Sequence, residues 1–161
     1  MTTMEHDKSL REHLIKLLNG GEAHLDFEAA VKDLLPALRG TRPHHSPHSA
    51  WELLEHMRIA QWDILEFCRN PKHVSPEFPK GYWPVTSAPT DESAWDKTVQ
   101  AFRADLKAMT DTVADESKDL FAPIPHGDGQ TLLREALLAA DHSAYHLGQL
   151  VLLKKMLEHD K

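Results

Sequence analysis

Two histidines one helical turn apart stand in the most apolar stretch of the chain. His142 and His146 occur in the segment AADHSAYHLGQLVLL, with His146 in a seam of residues spaced three and four apart and His142 beside it. Such spacing predicts the buried face of a bundle helix. Burying an imidazole without a partner costs about 1–3 kcal/mol, a cost that a shared metal ion would remove. The seam residues are Leu132, Ala136, Ala139, Ser143, His146, Leu150, Leu153 and Leu157.

A third ligand is needed, because a catalytic metal site usually has three protein ligands and one open position. Side chains four residues apart meet on one helix face, so His142 and His146 can share an ion. His56, in SAWELLEHMRIAQ, lies between Leu53 and Ala60 on the flank of another helical seam, where it can reach a neighbouring helix. Three histidines suit zinc, nickel or another borderline divalent metal. The sequence therefore predicts a metal site formed by His56, His142 and His146.

Four long helices and one short helix are expected to position these ligands. Their apolar residues recur with the helical period, and no segment has the alternation of a strand. This pattern predicts an all-α protein, a four-helix bundle with an extra short helix, as a single domain over residues 1–161. The predicted helices are 5–18, stopped by Asn19-Gly20-Gly21; a short one from about Asp26, limited by Pro36; Ser49–Arg69; one opened by Thr90-Asp91-Glu92 with a seam from Trp95 to Val113; and 131–159.

A long proline-rich loop separates the second and third long helices. Residues 71–90 contain five prolines and three large aromatic residues, Phe78, Tyr82 and Trp83. We expect this loop to be ordered, because those aromatic side chains favour burial. Tyr82 and Trp83 are also candidates to wall a substrate pocket.

Other polar residues near the predicted site have two interpretations. The loop histidines either line the site or are simply solvated, and the solvated interpretation is the simpler one. Three residues of the last helix either orient an imidazole or are surface or capping residues. The loop histidines are His44, His45, His48 and His126, and the helix residues are Glu135, Asp141 and Gln149.

Composition excludes several classes of protein. The chain has 161 residues and a formal net charge of −7, without the basic footprint of a nucleic-acid-binding protein. No apolar run is long enough for a membrane span, and the N-terminus does not resemble a signal peptide, so a cytoplasmic location is expected. Cys68, the single cysteine, rules out an internal disulfide framework and is expected to be a small core residue.

The chain resembles the DinB-like superfamily, which includes the YfiT-like metal-dependent hydrolases. The motifs ELLEHM, with His56, and DHSAYHLGQL, with His142 and His146, match that family's three-histidine pattern. LREHLIKLL near the start and PHGDGQTLLREALL before the last helix extend the resemblance over nearly the whole chain. The resemblance implies a four-helix bundle with up-down-down-up connections, a divalent metal that is often nickel or zinc, and frequent homodimers.

The same resemblance implies an activity. Relatives of known activity are mostly thiol-dependent S-transferases or isomerases that use a low-molecular-weight thiol such as bacillithiol or mycothiol. We therefore expect a metal-dependent S-transferase that acts on a small electrophilic substrate. A metal-dependent hydrolase with the same ligands, a binding module without turnover and a purely structural metal site remain open. A structural site would be closed by a fourth protein ligand, and none is evident in the sequence, which favours the enzyme or the binding module.

Overall fold

The computed structural model describes residues 3–159, which contain five α-helices and no β-strand. The all-α prediction is confirmed. Positions 1, 2, 160 and 161 of the predicted domain lie outside the described residues. An isolated bridge pairs Pro123 with Thr131 in the loop before the last helix. The helices are α1 Thr3–Asn19, α2 Phe27–Val31, α3 Ala50–Arg69, α4 Ala94–Ala114 and α5 Leu132–His159.

The end of α1 and the start of α3 follow from local chemistry that the sequence shows. Helix α1 stops where Gly20 and Gly21 adopt φ values of 68° and 87°, in the left-handed region that glycine tolerates. Helix α3 begins with a capping box. The Ser49 hydroxyl accepts from the Glu52 N–H at 3.2 Å, and the Glu52 carboxylate accepts from the Ser49 N–H at 2.8 Å. Both predicted boundaries are confirmed.

The prediction that Pro36 limits α2 is wrong. This helix ends at Val31, because Lys32 already has extended backbone angles and Asp33 has a φ of 62°. The predicted start near Asp26 is confirmed: Asp26 is the N-cap, and its carboxylate accepts from the Ala29 N–H at 2.8 Å.

Helix α4 begins later than residues 90–92. Asp91 accepts hydrogen bonds from the N–H and the hydroxyl of Ser93, at 2.8 Å and 2.6 Å. These bonds form a turn that precedes the helix, so α4 starts at Ala94. Asp91 therefore belongs to the turn before α4 and is not the first residue of the helix.

Contacts between helices give their directions. Glu55 of α3 bonds to Thr98 of α4, and Gln61, further along α3, bonds to Phe102, further along α4. The contacts follow the same order along the two helices, so α3 and α4 are parallel. Helix α1 is antiparallel to α4, because Arg11 reaches Val113 while Leu18 lies near Phe102. Helix α5 is antiparallel to α3, because His56 meets His146 while Cys68 lies near Glu135. This is the up-down-down-up order that the resemblance implies.

Two apolar clusters form the core. His142 and His146 lie between them along α5, whereas His56 precedes Met57, near the end of the first cluster on α3. In α3 one cluster ends at Met57 and the other begins at Ile64; in α5 the change falls between Ala140 and Leu147. Within residues 3–159, no helix combines the length and the apolar character needed to cross a membrane.

Candidate metal centre

The three predicted ligands meet between α3 and α5. The Nε2 atom of His56 is 3.0 Å from Nε2 of His146 and 3.1 Å from Nε2 of His142. The candidate ligand atoms all lie within 4.8 Å of one another. Two nitrogens bound to one ion at about 2.1 Å lie about 3.0–3.4 Å apart at the angles usual for zinc and similar metals. The two separations from His56 Nε2 therefore fit a shared metal ion.

Hydrogen bonds on the outer ring nitrogens decide which atoms carry protons. The Nδ1–H of His56 donates to the Tyr82 carbonyl at 2.8 Å, and the Nδ1–H of His146 donates to Gln149 Oε1 at 2.8 Å. A neutral imidazole with a proton on Nδ1 has a lone pair on Nε2. The Nε2 atoms of His56 and His146 thus face each other as two acceptors, a repulsive arrangement that a cation between them would reverse.

Burial keeps the three imidazoles neutral. It is the main cause that lowers the pKa of His142 from 6.5 to about 4, with further contributions from His146 and His56. Burial also lowers the pKa of His56, against the bond to the Tyr82 carbonyl, and the pKa of His146, against the bond to Gln149. At neutral pH each ring can therefore offer a lone pair to a metal.

A protein-family model matches most of the chain. The model of the DinB superfamily matches residues 22–150, which include α2 to α4, most of α5 and the three histidines. The chain belongs to the DinB superfamily. Comparisons with curated proteins and with solved structures gave no match.

In this DinB-superfamily chain, an indole ring covers one side of the triad. Trp83 stacks on His56, with ring centroids 3.9 Å apart and an interplanar angle of 1°. His48 stacks on the same indole at 4.0 Å and 12°, and Tyr145 places its ring edge-on to His146 at 4.9 Å. Aromatic rings thus hold the imidazoles in place and line the approach to them.

The four loop histidines have different surroundings in the structure. His48 is close enough for its charge to lower the pKa values of His56 and His146. His44 and His45 are exposed. His126 is also exposed, and its Nε2 bonds to the Phe67 carbonyl at 2.6 Å, which ties the loop before α5 to the end of α3. Sequence reasoning favoured the solvated interpretation for all four, and His48 departs from it.

Of the three residues considered as partners of the imidazoles, only Gln149 makes such a bond within the described residues. Glu135 is 2% exposed and pairs with Arg134 at 2.7 Å, whereas Asp141 is exposed. Cys68 lies near Glu135; burial above all, together with that carboxylate, raises its thiol pKa to about 12. A thiol that stays protonated fits the predicted core role.

The structure also contains a polar cluster that sequence reasoning missed. Asp63 accepts from His73 Nε2 at 2.7 Å and from the Tyr82 hydroxyl at 2.6 Å. Burial, together with the Asp63 carboxylate, raises the Tyr82 pKa to about 12, so this hydroxyl remains a donor. The available signal was spacing, because Asp63 follows His56 by about two helical turns and shares its face. Phe78, expected to be buried, is 84% exposed; Tyr82 and Trp83 provide the anchoring of the loop.

A small groove adjoins the triad. Its volume is about 170 Å³, and its polar residues include His48 and Gln149, which contact Trp83 and His146 respectively. The apolar part of its lining comes from Leu53, Leu152, Leu153 and Met156.

Proposed function

We propose that this protein is a metal-dependent enzyme of the thiol S-transferase type, which acts on a small electrophilic substrate at His56, His142 and His146. The observation that carries the proposal is the convergence of three neutral Nε2 atoms, two of them with lone pairs set by bonds on Nδ1. Membership of the DinB superfamily supports the same assignment. Zinc or nickel suits three imidazole ligands best.

The residues of the chain would prepare a nucleophile and hold its target. A divalent ion at such a site lowers the pKa of a bound water or thiol, which makes a nucleophile available at neutral pH. Tyr82 and Gln149 keep two imidazoles in the ligand tautomer. Trp83 and Tyr145 restrict the approach to the triad. The adjoining groove of about 170 Å³ would receive the apolar part of the substrate.

Hydrolysis is the alternative reaction, and one observation favours thiol transfer over it. Metal-dependent hydrolysis usually needs a general base that takes a proton from water. In the part of the chain that the structure describes, the ligand cluster consists of three histidines without a carboxylate. A thiol ionises more easily than water, so it needs less help from a base. A binding module without turnover would use the same ligands.

The first experiment measures metal content by elemental mass spectrometry on untagged protein. We expect one transition-metal ion per chain, and its loss in the variant His56→Ala/His142→Ala/His146→Ala. Protein that is metal-free and takes up neither zinc nor nickel would remove the metalloenzyme proposal. A variant in which three exposed histidines of other regions, His6, His13 and His45, are replaced by Ala serves as the control.

A second experiment separates the three activities. Bacillithiol, mycothiol and glutathione are each supplied with monochlorobimane. In the transfer a sulfur–carbon bond forms, chloride leaves with the bonding electrons, and the thiol proton passes to the buffer. Hydrolysis is assayed with p-nitrophenyl acetate. Metal-dependent conjugation supports the transferase, ester cleavage alone supports the hydrolase, and metal binding without either supports the binding module.

We also propose that two copies of the chain associate through the outer face of α5. Leu137, Tyr145 and Leu152 are 44%, 64% and 60% exposed on this face, and a Cβ atom at Gly148 would meet nothing within 4 Å. Asp141 and Lys155 are exposed seven residues on either side of Gly148. An antiparallel pair of α5 helices that crosses at Gly148 would set Asp141 against Lys155 of the second copy twice, as a two-fold interface requires.

Charge exchange tests this interface by analytical ultracentrifugation. Asp141→Lys and Lys155→Asp should each weaken self-association about tenfold by placing like charges opposite each other twice, and the double variant should restore it. Glu158→Lys changes an exposed charge of the same helix outside this face and should have little effect. A wild-type protein that stays monomeric, or a double variant without recovery, would overturn this interface.

A further inference from the structure

One buried carboxylate holds both ends of the segment 73–82. Asp63 uses one oxygen to accept from His73 and the other to accept from Tyr82. The side chains of His73 and Asp63 are only 6% and 12% exposed. A carboxylate removed from water requires hydrogen-bond donors, and here both donors belong to the same loop. Asp63 therefore closes this loop over α3.

The first end has two further contacts with α3 and its C-cap: the His73 ring meets Trp62 edge-on at 5.0 Å, and the His73 N–H donates to the Asn70 carbonyl at 3.0 Å. The rest of the segment has few contacts that would fix its position. Val74 and Phe78 are each 84% exposed, so they bury little apolar surface. Its internal bonds join Gly81 to Glu77 at 2.6 Å and Tyr82 to Pro79 at 3.2 Å, and both lie within the loop itself. The position of the second end over α3 thus depends largely on Asp63 and on the residues that follow Tyr82.

That second end touches the candidate metal centre. The Tyr82 hydroxyl bonds to Asp63, whereas the Tyr82 carbonyl accepts from Nδ1 of His56 at 2.8 Å. The next residue, Trp83, stacks flat on the same imidazole. Tyr82 therefore connects Asp63, which anchors the loop, to His56, a candidate ligand.

We propose that Asp63, His73 and Tyr82 form a relay through which metal binding at His56 and ordering of the segment 73–82 favour each other. This inference rests on the proposed metal site. A ligand bond at Nε2 leaves the proton on Nδ1, which is the form that donates to the Tyr82 carbonyl. The carbonyl, fixed by Asp63 through the Tyr82 side chain, keeps the imidazole turned towards its two partners. Coupling of this kind is reciprocal, so each event strengthens the other by the same factor.

Tyr82 and Asp63 are thus positioning residues, and the loop they hold responds to the metal. A metal-loaded protein would have an ordered wall of Trp83 beside the triad, and a metal-free protein a looser one. The relay therefore links occupancy of the site to the shape of the substrate approach.

The test combines zinc affinity, measured by chelator competition, with hydrogen exchange of the segment 73–82. In the wild type, zinc should slow exchange in this segment. Tyr82→Phe retains the three candidate ligands and the backbone carbonyl, so it should still bind zinc, about tenfold more weakly, and should lose most of the zinc-dependent protection. Thr86→Val removes an exposed hydroxyl from the same connection between α3 and α4, one that donates to the Ala88 carbonyl at 2.8 Å, and should behave as wild type.

Asp63→Asn gives a second variant that breaks the same anchor, and cobalt provides a spectroscopic readout of ligand geometry. Both Tyr82→Phe and Asp63→Asn should shift the visible bands of the cobalt-loaded protein, which a loss of general stability would not do. Zinc affinity equal to wild type in both variants, or exchange of the segment that zinc leaves unchanged, would overturn the relay while the metal site stands. A wild-type protein that binds no zinc would remove both proposals.

Discussion

Two loops of this protein are each anchored by one buried charged side chain, but the anchors differ in where their contacts end. Arg11 of α1, 5% exposed, donates to the carbonyls of Val113, Asp115 and Lys118 at 2.6–3.1 Å. These bonds hold the end of α4 and the loop that follows it. Asp63 holds the segment 73–82 in a similar way, yet its partner Tyr82 continues to His56.

The difference shows how one device can serve stability in one place and function in another. Both anchors satisfy a buried charge with several hydrogen bonds, as burial demands. The Arg11 contacts end on backbone carbonyls and, at 2.7 Å, on Asp7 of its own helix, so their loss should affect the fold alone. The Asp63 contacts lead to an imidazole that is a candidate ligand, so their loss should affect the site as well.

The largest expected effect comes from removing a candidate ligand in the region that Asp63 anchors. His56→Ala should weaken zinc binding about 100- to 1,000-fold, because one ligand carries a sizeable share of a binding free energy of about 10–16 kcal/mol. His13→Ala removes an exposed histidine of α1, close in sequence to Arg11, and should leave zinc binding unchanged. Chelator competition measures both. Equal losses in the two variants would contradict the assignment of the site.

The next effect is the loss of the other anchor. Arg11→Met should lower the free energy of unfolding by about 3 kcal/mol, because several carbonyls lose a charged donor. Urea unfolding in the presence of chelator measures this change. Zinc affinity of the folded variant should equal that of the wild type. A tenfold loss of affinity in this variant would show that the two anchors are not distinct.

Acid should distinguish the two regions again. The folded pKa of His142 is about 4, whereas its ordinary value is 6.5. Below pH 6.5 the unfolded chain therefore binds more protons, and the metal-free protein should lose stability as the pH falls from 6.5 towards 4. His142→Gln should reduce this pH dependence, whereas Arg11→Met, which retains every histidine, should preserve it. Chemical unfolding at a series of pH values provides the measurement, and an unchanged slope in His142→Gln would refute the prediction.

The smallest effect concerns the bond between Gln149 and His146. Gln149→Ala leaves all three candidate ligands in place but removes the acceptor at Nδ1, so zinc affinity should fall about tenfold or less. Gln100→Ala, an exposed glutamine of α4, is the control and should bind zinc as wild type. If the two variants bind zinc equally well, the Gln149 bond has no role in holding the imidazole.

Much of the fold could be predicted because its signals are local. The glycines at 20 and 21, the Ser49–Glu52 capping box and the three-and-four spacing of apolar residues each depend on neighbours within about one or two turns. The end of α2 escaped prediction, because Asp33 takes a left-handed conformation that aspartate only sometimes adopts. The directions of the helices came from the family resemblance, because the spacing of apolar residues along a helix does not show which way that helix points in the bundle.

The candidate site could be predicted as far as its histidines and no further. His142 and His146 are paired by the period of one helix, and His56 was chosen from its place on the flank of the α3 seam, with which the family pattern agrees. The Tyr82 carbonyl escaped detection because a backbone acceptor has no signature in residue type. Trp83 was expected near the site, but its stacking on both His56 and His48 depends on how a long loop folds back. Metal binding itself remains a prediction.

The sequence by itself determined the helices, the buried faces and the choice of three histidines, because these follow from the helical period and from residue chemistry. Tertiary structure alone decided that the candidate ligand atoms of the three histidines converge within 4.8 Å. It also decided that Asp63 is connected to His56 through Tyr82, whose hydroxyl bonds to Asp63 and whose carbonyl accepts from His56 Nδ1. The physical reason is that such contacts join residues distant in the chain. Their geometry is fixed only when the packing of α3 against α5 and the course of the loop between α3 and α4 are fixed together.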